Sequence, residues 1–272
     1  MTLTINRRDL LSVSFAIFAI STTVCSTAYA QLPVQTTPLN ITRPGVYVLT
    51  RDIVVPSGDA ITISANGVTL DLNGRNISVG TPGSGRGIFI NAANGVHVKN
   101  GKIGAFNINV EANNSNNVSL SNLQIVGQNL PLAGGPSEIG ILLISSRGCL
   151  IDHNLITSVS LGIFVRGPLS GGNTVSNNTL VGGPNISRSP LGMCWNPLAG
   201  AAGNPAPGPK GDRAYNNHIS QFTDGFSFSA GTTGSFAFDN TISYTNVGFR
   251  ADSTIGGNIL QDNITLQVAP NP

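Results

Sequence analysis

Short runs rich in Val, Ile, Leu and Thr alternate along this chain with clusters of Asn, Gly and Ser. That is the pattern of short strands separated by turns. Helical periodicity is hard to find past the first thirty residues. One run recurs: an alternating apolar and polar stretch ends in an aliphatic residue at Ile77, Ile103, Ile125, Ile156, Leu180, Ile219, Ile242 and Ile264. The steps between these anchors are 26, 22, 31, 24, 39, 23 and 22 residues. Most cluster near one length, and the two long ones fit one coil plus a surface insertion. A single unit of this kind cannot bury its own apolar face, whereas stacked units share a continuous core.

Alignment on the anchors orders the other positions. Three residues before the anchor stand Asn100, Asn122, His153, Asn177, Asn216, Asp239 and Gln261, and two before it Asn154, Asn178, Asn217 and Asn240. Asn tolerates left-handed backbone and bonds its own turn, so these columns predict a stacked bend and a ladder of amides. A second strand lies upstream, usually opened by glycine, at Gly87, Gly140, Gly162, Gly192, Gly225 and Gly248. Period two predicts one inner column of Ile88, Ile108, Ile141, Ile163, Met193, Phe226 and Phe249. A second inner column is Ile90, Val110, Leu143, Val165, Trp195, Phe228 and Ala251. The predicted outward columns are Phe89, Asn109, Leu142, Phe164, Cys194, Ser227 and Arg250, and Asn91, Glu111, Ile144, Arg166, Asn196, Ser229 and Asp252. Around Phe236 and Phe238 either parity is open, and a slip of one residue there exchanges inside for outside.

This combination resembles the right-handed parallel β-helix, or pectin-lyase-like, superfamily over about residues 58 to 268. The likeness rests on the Gly-Ile-x-Val strand openings, on segments such as those from Asn94 to Asn100 and Asn116 to Asn122, and on the coil length. It implies an all-β, single-stranded right-handed parallel solenoid of about eight coils. The expected organisation is a signal peptide over 1–30, a leading cap segment over 31–58, the β-helix over 59–268 with insertions near 127–138 and 182–210, and a tail over 269–272. Long loops on a rigid scaffold are where binding usually resides.

Arg7 and Arg8 precede an apolar run that ends in Ala28-Tyr29-Ala30, the make-up of a secretory signal. The paired arginines resemble a twin-arginine signal, so a bacterial periplasmic or secreted location is expected. Removing Arg7, Arg8 and Asp9 from the formal charge of +2 leaves +1. A surface so poor in clustered Lys and Arg argues against nucleic acid, and no later apolar stretch is long enough to span a bilayer. The expected partner is a polysaccharide or cell-surface glycan. No Cys/His spacing resembles a zinc site.

The sharpest chemical candidate is Ile151-Asp152-His153 followed by Val165-Arg166-Gly167-Pro168. It is similar to paired segments of pectate lyases in this superfamily, where the arginine of Arg-x-Pro serves as base. Here Leu150 stands where those enzymes carry Trp, and no second arginine closely follows Pro168. The resemblance implies Asp152, His153 and Arg166 as catalytic residues with Glu111 as helper. Elimination on a uronate asks for carboxylates that hold a cation and for a base near the abstracted proton. Asp152 and Glu111 offer oxygens, but no dense acidic cluster shares a column, so neither calcium nor another cofactor or metal is expected. The adjacent Asp pairs and Gly-His-Gly segment of polygalacturonase-type hydrolases are absent. The outward apolar face of Leu142, Phe164 and Cys194, with Trp195 nearby, is the expected binding surface. The expectation is thus a secreted protein that recognises, and as a lyase cleaves, a uronate-containing polysaccharide. The alternative is a non-catalytic surface, adhesion or periplasmic binding module. His97 and His218 are isolated and expected to be structural.

Overall fold

The structure, a computed structural model, describes residues 38–128, 138–183, 190–196, 207–243, 247–251 and 257–266. The expected signal peptide, most of both insertions and the tail lie outside them. The described residues contain no helix and form two sheets in which every pairing is parallel. The chain is a parallel β-helix.

The first sheet stacks nine strands: Leu39–Ile41, Ile61–Ile63, Arg86–Asn91, Ile108–Asn113, Ile139–Ile144, Leu161–Arg166, Leu191–Asn196, Asp224–Phe228 and Val247–Ala251. The second has sixteen strands in two runs joined by a bend. The leading segment expected to cover the first coil is itself a coil. Its strands Leu39–Ile41, Gly45–Val48 and Ile53–Val55 each pair with the matching strand one rung on.

The anchors stack in one row, from Ile53 through Ile77, Ile103, Ile125, Ile156, Leu180 and Ile219 to Ile242. All eight are buried. From the Ile103 rung to the Ile242 rung the bend three residues before the anchor is left-handed, with φ between 53° and 61° at Asn100, Asn122, His153, Asn177, Asn216 and Asp239, and Gly74, φ 73°, holds the same place before Ile77. Two before the anchor runs the amide ladder. Nδ2 of Asn154, Asn178, Asn217 and Asn240 each donates to Oδ1 of the next rung's Asn at 2.9–3.0 Å. Each Oδ1 also accepts a backbone N–H of the preceding rung.

The last rung corrects the sequence reading. Ile264 is not in the anchor row: it pairs with Thr241 and is 55% exposed, and Thr265 lies against Ile242. Asp262, φ 51°, takes the bend position assigned to Gln261. Register there is held by Asn263, the fifth ladder member, whose Oδ1 accepts two bonds from Asn240. Two hydrogen bonds outweigh one aliphatic side chain that no further described rung would cover.

The third coil is the second correction. Val110 and Ala112 fill the inner columns instead of Ile108 and Val110, and Glu111 and Asn113 face outward. The shift is two residues, so parity survives. In the other rungs this register is marked by a glycine, where the first sheet passes close beside the anchor row, and the third coil lacks that mark. A Cβ on Gly162 would lie 2.3 Å from the Gly192 carbonyl oxygen and 2.5 Å from Leu180, and Gly140, Gly192 and Gly225 are equally confined. In the third coil Asn109 fills this position, fully buried, with Nδ2 donating to the Ile139 carbonyl at 3.1 Å. At the open parity, Ala237 is inside while Phe236 and Phe238 face out. Cys149 and Cys194 are free and buried, and burial pushes both thiols up to about 11.

Candidate functional site

The four expected catalytic residues fall on two different faces. Glu111 and Arg166 lie on the outer face of the first sheet, one intervening strand and two residues of register apart. Asp152 and His153 lie on the second sheet, at the end of Leu150–Asp152 and at the bend after it. The structure therefore joins Asp152 to His153 and separates both from Arg166 and Glu111.

On the first sheet, the outward column reads Phe89, Glu111, Leu142, Phe164, Cys194 and Ser227. Leu142 and Cys194 point outward yet are buried, and Phe164 between them is half-buried. Trp195 does not belong to this surface. It is fully buried in the core, stacked on Phe226 at 4.9 Å and edge-on to Phe228. Period two dictates this, since Trp195 follows outward Cys194. Glu111 sits 3.5 Å from Arg86, which also holds Asp59 at 2.6 Å and lies over the Phe89 ring at 3.4 Å. Burial raises the Glu111 pKa, and the Arg86 charge offsets this only in part. The Arg166 guanidinium lies 5.5 Å from the Phe164 ring, and its Nε is buried without a hydrogen-bond partner.

The second sheet presents the more open arrangement. At the position four before each anchor, Asp152, Ser176, Tyr215 and Phe238 occupy successive rungs. Ser176 Oγ and Asn177 Nδ2 donate to Asp152 Oδ1 at 2.7 and 2.8 Å. His153 Nδ1 lies 2.6 Å from Oδ2. Partial burial would raise the Asp152 pKa, but the bonds from Ser176, Asn177 and His153 outweigh it, and the carboxyl stays below its ordinary value. The His153 side chain is 61% exposed. With one ring nitrogen held by the carboxylate, the other faces outward in the arrangement of an oriented base. Two rungs along, Tyr215 and Phe238 stack at 5.0 Å, with Phe236 and Arg213 exposed in the neighbouring column.

These carboxylates do not suit a shared calcium ion. Asp152 and Glu111 lie on different sheets, with their oxygens engaged by Ser176, Asn177 and His153, and by Arg86. Among the described residues no three His, Cys, Asp or Glu side chains gather as a metal would need, and no helix is long and apolar enough to cross a membrane. Ser176, Asn177, Tyr215 and Phe238 were missed from the sequence. Their signal was present, since all four sit one or two residues before a ladder Asn.

No family model matches the chain, and no curated protein matches it. Solved structures do. An alginate lyase from Paenibacillus sp. str. FPU-7 is 14% identical, with a TM-score of 0.40 over 82% of this chain and 97% of that one. The Dettilon tailspike protein is 14% identical, TM-score 0.41, over 83% of this chain and 60% of that one. A mutant tailspike protein of E. coli bacteriophage HK620 in complex with pentasaccharide is 10% identical, TM-score 0.36, over 82% and 53%. At this distance the likenesses carry no statement about substrate or activity.

Proposed function

We propose that the protein recognises an extracellular polysaccharide along the outer face of its second sheet, and that it is secreted or periplasmic when it does so. The observation that carries this reading is the row of Asp152, Ser176, Tyr215 and Phe238 on successive rungs, with His153 beside it. Rungs stand about 4.8 Å apart. A linear polymer lying across them meets the Asp152 carboxylate and the His153 ring at one end of the row and the Tyr215–Phe238 stack at the other, while Ser176, buried, holds Asp152 from beneath. Sugars need both, because they present polar edges and apolar C–H faces.

The finer reading is cleavage of a uronate polymer by elimination. His153, oriented by Asp152, takes the C5 proton next to the uronate carboxyl; the electron pair left on C5 forms the C4=C5 double bond as the C4–O glycosidic bond breaks, and the leaving oxygen takes up a proton from the imidazolium or from water. A non-catalytic module is the second reading, and one observation favours it. His153 has φ 54°, the left-handed bend filled by Asn or Asp in the neighbouring rungs, so its place is also a structural one.

Incubation with uronate and neutral polysaccharides, followed by ultraviolet absorbance of unsaturated product and by binding, separates these readings. A lyase gives product, and His153→Ala lowers the rate about 100-fold or more. Binding without product supports the module. Absence of binding to every glycan ends the proposal.

A further inference from the structure

A column of bridged residues lines the corner where the first sheet gives way to the second. One position of that corner is filled on successive rungs by Asn116, Arg147, Gly171, Lys210 and Thr233, joined by parallel bridges. Up to Asn116 it is an amide ladder. Asn94 Oδ1 accepts the side-chain and backbone N–H of Asn116 at 3.0 and 3.1 Å, and Asn116 Oδ1 accepts the Arg147 backbone N–H at 3.2 Å. There the amides stop. Two cations follow, with a residue lacking a side chain between them. At about 4.8 Å per rung, Arg147 and Lys210 stand roughly 10 Å apart across the gap. Gly171 cannot fill it, because a Cβ there would lie 2.5 Å from the Lys210 carbonyl oxygen.

Arg147 is held in place. Its Nε donates to the Leu169 carbonyl at 2.6 Å, which ties the guanidinium to the loop leading into Gly171. It lines an open cleft of about 300 Å³ together with Asn114, Asn116, Ser145 and Leu169. Leu169 is 53% exposed. Among the described residues no carboxylate pairs with Arg147, with Lys210 or with exposed Arg213. Asp212, next to Lys210 in space and sequence, is buried inside the solenoid. An anchored guanidinium with free N–H groups, an apolar side chain, an amide and a hydroxyl around one cleft suit a sugar that bears an anion. Such a sugar would set its C–H face on Leu169, its hydroxyls near Asn114 and Ser145 and its carboxylate on the guanidinium fork.

We propose that this corner is a subsite for a carboxylate-bearing sugar unit, with Arg147 as the anion-binding residue and Lys210 as electrostatic support. This rests on the glycan reading above and locates where an acidic unit of the polymer is held. The test is titration calorimetry of the full chain with oligogalacturonate and with a neutral oligosaccharide of equal length, at low and high salt. The wild type is expected to bind the acidic oligomer about tenfold tighter, which corresponds to about 1.4 kcal/mol, with the advantage shrinking at high salt. Arg147→Gln is expected to remove the preference for the acidic oligomer, and Lys210→Gln to reduce it by about two- to threefold. Unchanged melting temperatures identify the variants as folded. Should Arg147→Gln fail to fold, Lys210→Gln and the salt dependence decide. Equal wild-type affinity for both oligomers, or a preference that survives the substitutions, overturns the anionic subsite and leaves glycan recognition standing. Failure of the wild type to bind either oligomer overturns the anionic subsite, and the glycan reading beneath it falls with absence of binding to every glycan in the broader panel.

Discussion

A buried carboxylate inside the solenoid has a measurable consequence. Asp212 occupies a second inner ladder. Its Oδ1 accepts the Asn173 N–H at 2.7 Å, Asn173 Oδ1 accepts the Cys149 N–H, and Asp212 N–H donates to Ser235. Asp212 Oδ2 and the Trp195 indole N–H are near neighbours, yet neither has a partner at hydrogen-bond geometry. Burial pushes the Asp212 carboxyl from 3.8 up to about 7, against a smaller pull from the Asn173 and Trp195 donors. A folded-state pKa above the unfolded one means stability is complete below about pH 4 and falls as pH rises to about 7. Asp212→Asn should abolish this slope and stabilise the protein above pH 7 by about 2–4 kcal/mol, as read by urea unfolding at pH 5 and pH 8. The variant amide has an acceptor waiting, since Asn173 and Asn258 in the same column reach the Ser146 and Thr232 carbonyls. Trp195 is the chain's single tryptophan, so its fluorescence should titrate with a midpoint near 7 in the wild type and not in the variant. These residues were legible one at a time. That a carboxylate, not an amide, would meet a tryptophan inside the core was not, because the two are distant in sequence and meet only through the stacking.

Ladders and glycine columns act as whole elements. Asn217 Oδ1 accepts two bonds from Asn178, and its Nδ2 donates to Asn240 and to the Val175 carbonyl. Asn217→Ala strands several buried groups at once, so a loss of about 3–5 kcal/mol is expected in chemical denaturation. Asn263→Ala, at the partly exposed end of the same ladder, should cost about 1 kcal/mol. The glycine column gives a sharper contrast. Gly162→Ala drives a Cβ into the Gly192 backbone and should prevent folding or cost more than about 3 kcal/mol. Gly74→Asn, at a bend with φ 73° and open space around it, should stay within about 1 kcal/mol of wild type. The repeat was readable because each column holds one residue type through many rungs. It misled where one rung broke the pattern, at Asn109 in place of glycine and at Ile264 in place of Thr265, because the column's neighbours and not the local sequence fixed the register.

At the scale of the molecule, each rung touches only the rungs beside it, so stability is close to a sum of rung and interface terms. The middle rungs bury their anchors completely, whereas Ile259, Leu260, Ile264 and Leu266 on the last described rung are exposed. Amide exchange should therefore be slowest around Leu120, Ile156 and Leu180 and fastest over residues 259–266. Uniform protection along the solenoid would contradict this nearest-neighbour picture.

The sequence by itself determined the coil length, the parallel stacking, the bend column, the amide ladder and most of the inside–outside alternation. All of these are periodic, and a period can be read along one chain. Only the tertiary structure decided which outward residues stand bare, that Asp152 and His153 face away from Arg166 and Glu111, and that Arg147 and Lys210 flank a gap left by Gly171. Those relations depend on which residues share a side of the coil and on how closely rungs approach, and spacing along the chain carries neither.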